Sequence, residues 1–184
     1  RIDVAFLFIS AQHADQADTL SHALRTALGP DTLVGCTGEG GIATGREVET
    51  GPAATLWAAH LPGVIAHPLR LSFSSVHDQF SLRDWPELDY GGESAPVMLL
   101  FADPFSTPLQ DVLGVIEERY PHARALGGLA GGGQDLAENR LFLDDEVYSD
   151  GLVGVVLSGN ISVRTVISQG CRPIGDRFIV TKAE

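Results

Sequence analysis

The octapeptide SQGCRPIG, residues 168 to 175, packs a thiol, a guanidinium and a proline between two glycines. A turn needs the glycines and Pro173 and nothing more. Arg172 adds a planar fork that fits a ligand carboxylate. Gln169 adds a neutral polar contact. Cys171 adds a thiol whose pKa a neighbouring guanidinium can lower. The structural alternative is simpler: Gly170 bends the chain, Cys171 is a small buried apolar group, and Arg172 pairs with one of many acids. The first half of the chain has no counterpart of CRPIG. That asymmetry favours a ligand-facing role over a purely architectural one.

A second candidate is the glycine-rich run GCTGEGGIATG, residues 35 to 45. Its Gly38-x-Gly40-x-x-Ala43 spacing formally matches a dinucleotide fingerprint, which requires a helix immediately afterwards. TGREVETGP follows instead, polar and broken by Gly51-Pro52. No phosphate-binding Lys-Ser/Thr pair is present either. ARALGGLAGGG, residues 123 to 133, is a similar run in the second half. Glycines at matching places permit close backbone approach. They also leave bare backbone N–H groups that could meet an anionic ligand. The ligand-binding candidates are therefore Gly35, Cys36, Thr37, Gly38, Gly127, Gly128, Gly131, Gln169, Cys171 and Arg172.

A catalytic thiol at Cys171 would need a base, and six histidines are available: His13, His22, His60, His67, His77 and His122. None lies in a local nucleophile signature, and no paired-carboxylate pattern stands out beyond Asp144-Asp145-Glu146, which reads as a solvated turn. No catalytic residue is assigned, although a cysteine-dependent enzyme remains an alternative. No metal-binding spacing appears. Haem needs an axial His, Cys or Tyr in an apolar pocket. His13, His60 and His67 are the available histidines near strands, and nothing singles one out.

These residues must be positioned by α/β elements. DVAFLFIS is a continuous apolar run, the mark of a strand covered on both faces. A helix follows, with Leu20, Leu24 and Leu28 at helical spacing and Gly29-Pro30 as its stop. TLVGC reads as a strand, and ATLWAAHL and VIAHPLRLSF read as a hairpin about Pro62-Gly63. The second half repeats the order with APVMLLFAD, a helix carrying Leu109, Val112, Leu113 and Ile116, then ARALGG and GLVGVVLSGNISVRTVISQG. The expected fold is mixed α/β. Two tandem strand-helix-strand-hairpin repeats, about 3–74 and 95–170, form a pseudo-twofold sheet core with helices on the outer faces. The segment from 74 to 94 reads as a polar connection.

Composition narrows the function. The 24 acidic and 12 basic residues give a net charge of -12, which repels nucleic-acid backbones. No apolar run reaches the roughly 18 residues of a membrane span. Two cysteines fit reduced thiols in the cytoplasm. The abrupt start at RIDVAF and stop at TKAE are expected of a fragment of a longer protein.

The succession GCTGEGG, GGLAGG, DGLVGVVLSGN and SQGCRPIG resembles the N-terminal part of the FIST domain family, from Val4 to Thr181. The resemblance implies a single sensory domain of non-catalytic function that binds a small ligand, amino-acid-like or another small anion. It also implies coupling to a downstream signalling protein or domain. Some bacterial relatives bind haem and sense nitric oxide, so the resemblance keeps a haem cofactor as an alternative. The family continues into a C-terminal portion that could complete a site begun here.

Overall fold

The computed structural model describes residues 1–76, 79–83, 95–167 and 174–175. Gln169, Cys171, Arg172 and the expected final strand FIVTK lie outside the described residues.

Strand β1 (Val4–Ser10) leads through a short 3-10 segment (Ala11–Gln16) into α1 (Ala17–Leu28), and β2 (Thr32–Gly38) returns parallel to β1. The strands β3 (Gly41–Ala43) and β4 (Arg46–Val48) pair only with each other. Then come β5 (Ala54–Ala59), β6 (Val64–Val76) and β7 (Gln79–Arg83). The second half runs β8 (Val97–Ala102), α2 (Leu109–Arg119), β9 (Arg124–Leu129), β10 (Leu141–Leu143), β11 (Glu146–Tyr148) and β12 (Leu152–Gly159). As with β1 and β2, β9 lies parallel to β8.

Two five-stranded sheets result, ordered β11-β10-β2-β1-β5 and β7-β6-β12-β8-β9. Each sheet borrows from the other half of the chain. Antiparallel β10 extends the first sheet beside β2, and antiparallel β6 joins the second beside β12.

The alternation of apolar residues explains the layering. On β1, Val4 and Phe6 point between the sheets, into a cluster with Val34, Leu141, Val153, Val155 and Leu157. Ala5, Leu7 and Ile9 point the other way and pack with Ala17, Leu20 and Leu24 of α1. Met98, Leu100 and Ala102 of β8 meet Val112 and Ile116 of α2 in the same manner. A strand covered on both faces has no polar side, which is why these strands read as unbroken apolar runs. Burying one side chain the size of Leu7 or Phe142 stabilises the fold by about 2 kcal/mol, so each strand contributes to two cores at once.

Four expectations change. Pro62-Gly63 is not a hairpin turn: β5 pairs with β1 and β6 with β12, so the chain changes sheet there. The apolar strands on either side of Pro62-Gly63 each find a better partner elsewhere. Residues 161–167 likewise form no strand with β12. The 74–94 segment includes the end of β6 and all of β7, where Phe80 and Leu82 alternate with polar residues. The buried face of α1 is Ala17, Leu20, Ser21 and Leu24, a regular i, i+3, i+4, i+7 stripe, while Leu28 at the last turn is 41% exposed. Gly29 closes that helix in a left-handed conformation, as its position implied. No helix of the described residues is long and apolar enough to cross a membrane.

Candidate functional site

Gly35 on β2 and Gly127 on β9 stand alike against the preceding parallel strand, opposite Leu7 on β1 and Leu100 on β8, although β2 is central in its sheet and β9 is an edge strand. A Cβ at either would lie 1.8 Å from the carbonyl oxygen of that partner residue. Only glycine permits such an approach. The first task of both is therefore to shape the backbone.

At and just beyond them the two strands border one open hollow of about 980 Å³. It lies on the side of the sandwich where β5 and β9 are the outermost strands. Cys36, Thr37 and Gly38 line it from the first half, and Gly127 and Gly128 from the second. Gly131 is set back: its N–H donates to the carbonyl of Thr37 at 3.0 Å, tying the two glycine-rich segments together. Five of the seven described candidates thus border one space.

The walls are aromatic. The ring centroids of Phe6 and Trp57 are 5.5 Å apart, those of Phe6 and Phe101 6.1 Å, and those of Phe8 and Phe101 5.2 Å. These rings bridge the first and second sheets. Glu39, Glu47 and Glu49 stand exposed at the rim. No basic residue and no histidine is among the described lining residues.

Cys36 is 5% exposed, and burial pushes its thiol up to about 12. The thiolate is the reactive form, so Cys36 packs as a small apolar group. Among the described residues no cluster of three or more His, Cys, Asp or Glu could hold a metal ion.

Behind the hollow a polar network locks the loops. Asn139 Nδ2 donates to Asp103 Oδ1 at 2.9 Å, and Asn139 Oδ1 accepts from the N–H of Gly133 at 3.1 Å. Asp103 Oδ2 accepts from Ser106 N–H at 2.9 Å and from Ser106 Oγ at 2.6 Å. Thr37 Oγ1 accepts from Arg140 N–H at 3.1 Å and approaches Asn139 Oδ1 at 3.5 Å. Asp103 and Asn139 are wholly buried. A buried carboxylate is tolerable only with such a set of donors.

Asp144 is not merely a solvated turn residue. Its Oδ1 accepts from Leu33 N–H and from Arg25 Nη1, each at 3.0 Å, and Arg25 Nε reaches Asp145 at 2.9 Å. The turn between β10 and β11 is thereby tied to α1 and β2.

The aromatic walls and the Asp103–Asn139 pair escaped the reading of motifs. One signal was present: Asp103 closes an otherwise apolar run and precedes Pro104, an expensive place for a charge unless it caps something.

Comparison with known proteins follows the same boundaries. The FIST N domain family matches residues 3–184. The uncharacterized protein Rv0628c of Mycobacterium tuberculosis is 35% identical over 181 residues, covering 98% of this chain and 46% of the relative. The uncharacterized protein Mb0898c of Mycobacterium bovis is 32% identical over 181 residues, covering 98% of this chain and 45% of the relative. The chain therefore spans about half the length of the curated relatives it matches. It belongs to the FIST N domain family.

Proposed function

We propose that this chain is the sensory part of a cytoplasmic signalling protein and that its small ligand occupies the hollow between β5 and β9. One observation carries the reading: residues of both halves, Cys36–Gly38 and Gly127–Gly128, border the same aromatic-walled space. A ligand held there touches both sheets at once. It acts as a signal by binding two arrangements of those sheets with different affinity, and an attached or downstream signalling module reads the difference.

The two halves are read as copies of one unit, related by a pseudo-twofold axis. Parallel β1–β2 and β8–β9 pairs, each with its glycine pressed onto the preceding strand, support that relation. A duplicated scaffold that keeps CRPIG in one half alone has one half free to specialise.

Haem fits the described residues poorly. The space is large and apolar, yet among the described lining residues only Cys36 has axial-ligand chemistry, and its thiol is held protonated. The test is native mass spectrometry of the full chain as purified, with an absorption spectrum after haem is added. A bound small molecule lost on Trp57→Ala substitution is the expected result. A Soret band would replace this reading with haem sensing. Rapid iodoacetamide labelling of Cys171 at neutral pH would revive the cysteine enzyme.

A further inference from the structure

We infer that the ligand is a cationic amphiphile, an organic ammonium group carried on an aromatic or branched aliphatic body. The inference rests on the hollow being the ligand site and adds the charge of its occupant. The body is set by the walls. Phe6, Phe8, Trp57 and Phe101 form one connected aromatic surface across both sheets. Trp57 is 53% exposed and Phe8 and Phe101 are half-buried, so these three rings offer open face to a ligand while Phe6 is buried beneath them. Such faces attract an ammonium within about 6 Å of the ring centroid.

The charge is set by the rim. Glu39, Glu47 and Glu49 border the hollow, and among the described residues none of the three has an ion-pair or hydrogen-bond partner for its carboxylate. Elsewhere Asp3, Asp31, Asp144, Asp145 and Asp150 each face an arginine or histidine, whereas among the described residues Asp111, Glu117 and Glu118 are as unpaired as the rim glutamates. What sets the three rim carboxylates apart is that all border one aromatic-walled hollow. An ammonium at the mouth would be drawn by three carboxylates and by the ring faces beneath them. A carboxylate there would meet uncompensated like charge. The charge of the described lining thus opposes the small-anion expectation, which leaned on Arg172 and on the backbone N–H groups of the glycine-rich runs.

The test compares three probes that share one phenylethyl body on the full chain: 2-phenylethylammonium, 3-phenylpropanamide and 3-phenylpropanoate, by titration calorimetry. The ammonium should bind at least about tenfold more tightly than the amide, the carboxylate least tightly, and the preference should shrink between about 0.05 and 0.5 M salt. The combined Glu39→Gln, Glu47→Gln and Glu49→Gln variant should lower the affinity for the ammonium towards that of the amide, leave only the ring-face part of the preference, and abolish its salt dependence. Equal binding of ammonium and amide to the unaltered chain, or a preference for the carboxylate, overturns the inference and leaves the ligand site standing. Failure of all three probes to bind overturns the reading of the hollow as a ligand site, and this inference with it. If the triple variant does not fold, the salt dependence of the unaltered chain is decisive by itself: a preference that survives high salt undiminished overturns the role of the rim carboxylates.

Discussion

The side-chain amide of Asn139 donates to the carboxylate of Asp103 at 2.9 Å, and neither residue has any exposed surface. Asp103 directly follows β8 in one sheet. Asn139 lies on the loop that carries the chain into β10 of the other. The bond therefore pins the crossing between the two sheets close behind the hollow.

Removing the acceptor should be costly. Asp103→Ala leaves the Asn139 amide and the N–H groups of Phe105 and Ser106 without their partner. We expect a loss of about 3 kcal/mol, the upper end for buried hydrogen-bonding groups left unpaired. Asn139→Ala should cost about 2 kcal/mol on the same scale. Urea denaturation of each variant measures both losses, and a loss of under about 0.5 kcal/mol would place the pair outside the folding energetics.

Gly127 and Gly128 should respond oppositely to one methyl group. A Cβ at Gly127 meets the Leu100 backbone at 1.8 Å, whereas at Gly128 it meets nothing within 4 Å. Gly127→Ala should therefore cost more than about 4 kcal/mol or prevent folding, while Gly128→Ala should remain within about 1 kcal/mol. Thermal melts of the two proteins decide this. The second variant also places its methyl beside the hollow without altering the fold, and so serves as a probe of ligand fit.

Cys36 should be inert toward iodoacetamide at neutral pH and become labelled only on unfolding. Its thiol is pushed up to about 12 by burial, from an ordinary value of 9.0. The same shift sets the sign for stability. Below pH 9 both states keep the proton and nothing is lost. Between pH 9 and about 12 the unfolded chain releases it and the folded chain does not, so stability falls as pH rises, by about 1.4 kcal/mol per unit from this group. Peptide mapping separates Cys36 from Cys171. Cys36→Ser should flatten the alkaline limb of the stability curve.

Asp3 predicts an acid limb. Its carboxylate accepts from Leu61 N–H at 2.5 Å and lies 2.7 Å from His60 Nδ1, and these contacts hold its pKa below the ordinary carboxylate value. The stabilisation is present above the unfolded value and is lost as pH falls through the lower folded one. Asp3→Asn should remove that part of the pH dependence. Amide exchange at Leu61 reports it, because this N–H begins the crossover between the sheets.

Much of the fold was legible. The apolar runs at 4–9 and 97–102, the stop at Gly29 and both helices follow from period and composition, because strands covered on both faces and helices with a single buried stripe leave local signatures. The pairing was not legible. Nothing in ATLWAAHLPGVIAHPLRLSF tells β5 to join β1 and β6 to join β12, since that choice is made by partners distant in the chain. The site divides in the same way. Gly35 and Gly127 announce a special backbone. The aromatic walls are built from β1, β5 and β8, and no stretch of sequence displays their rings side by side.

The trading of strands between sheets makes the halves dovetail. A chain cut in the 84–94 segment would leave the first sheet without β10 and β11, and the second without β6 and β7. Neither piece alone could cover its own open flank, so each should stay unstructured in isolation and acquire order when the two are mixed.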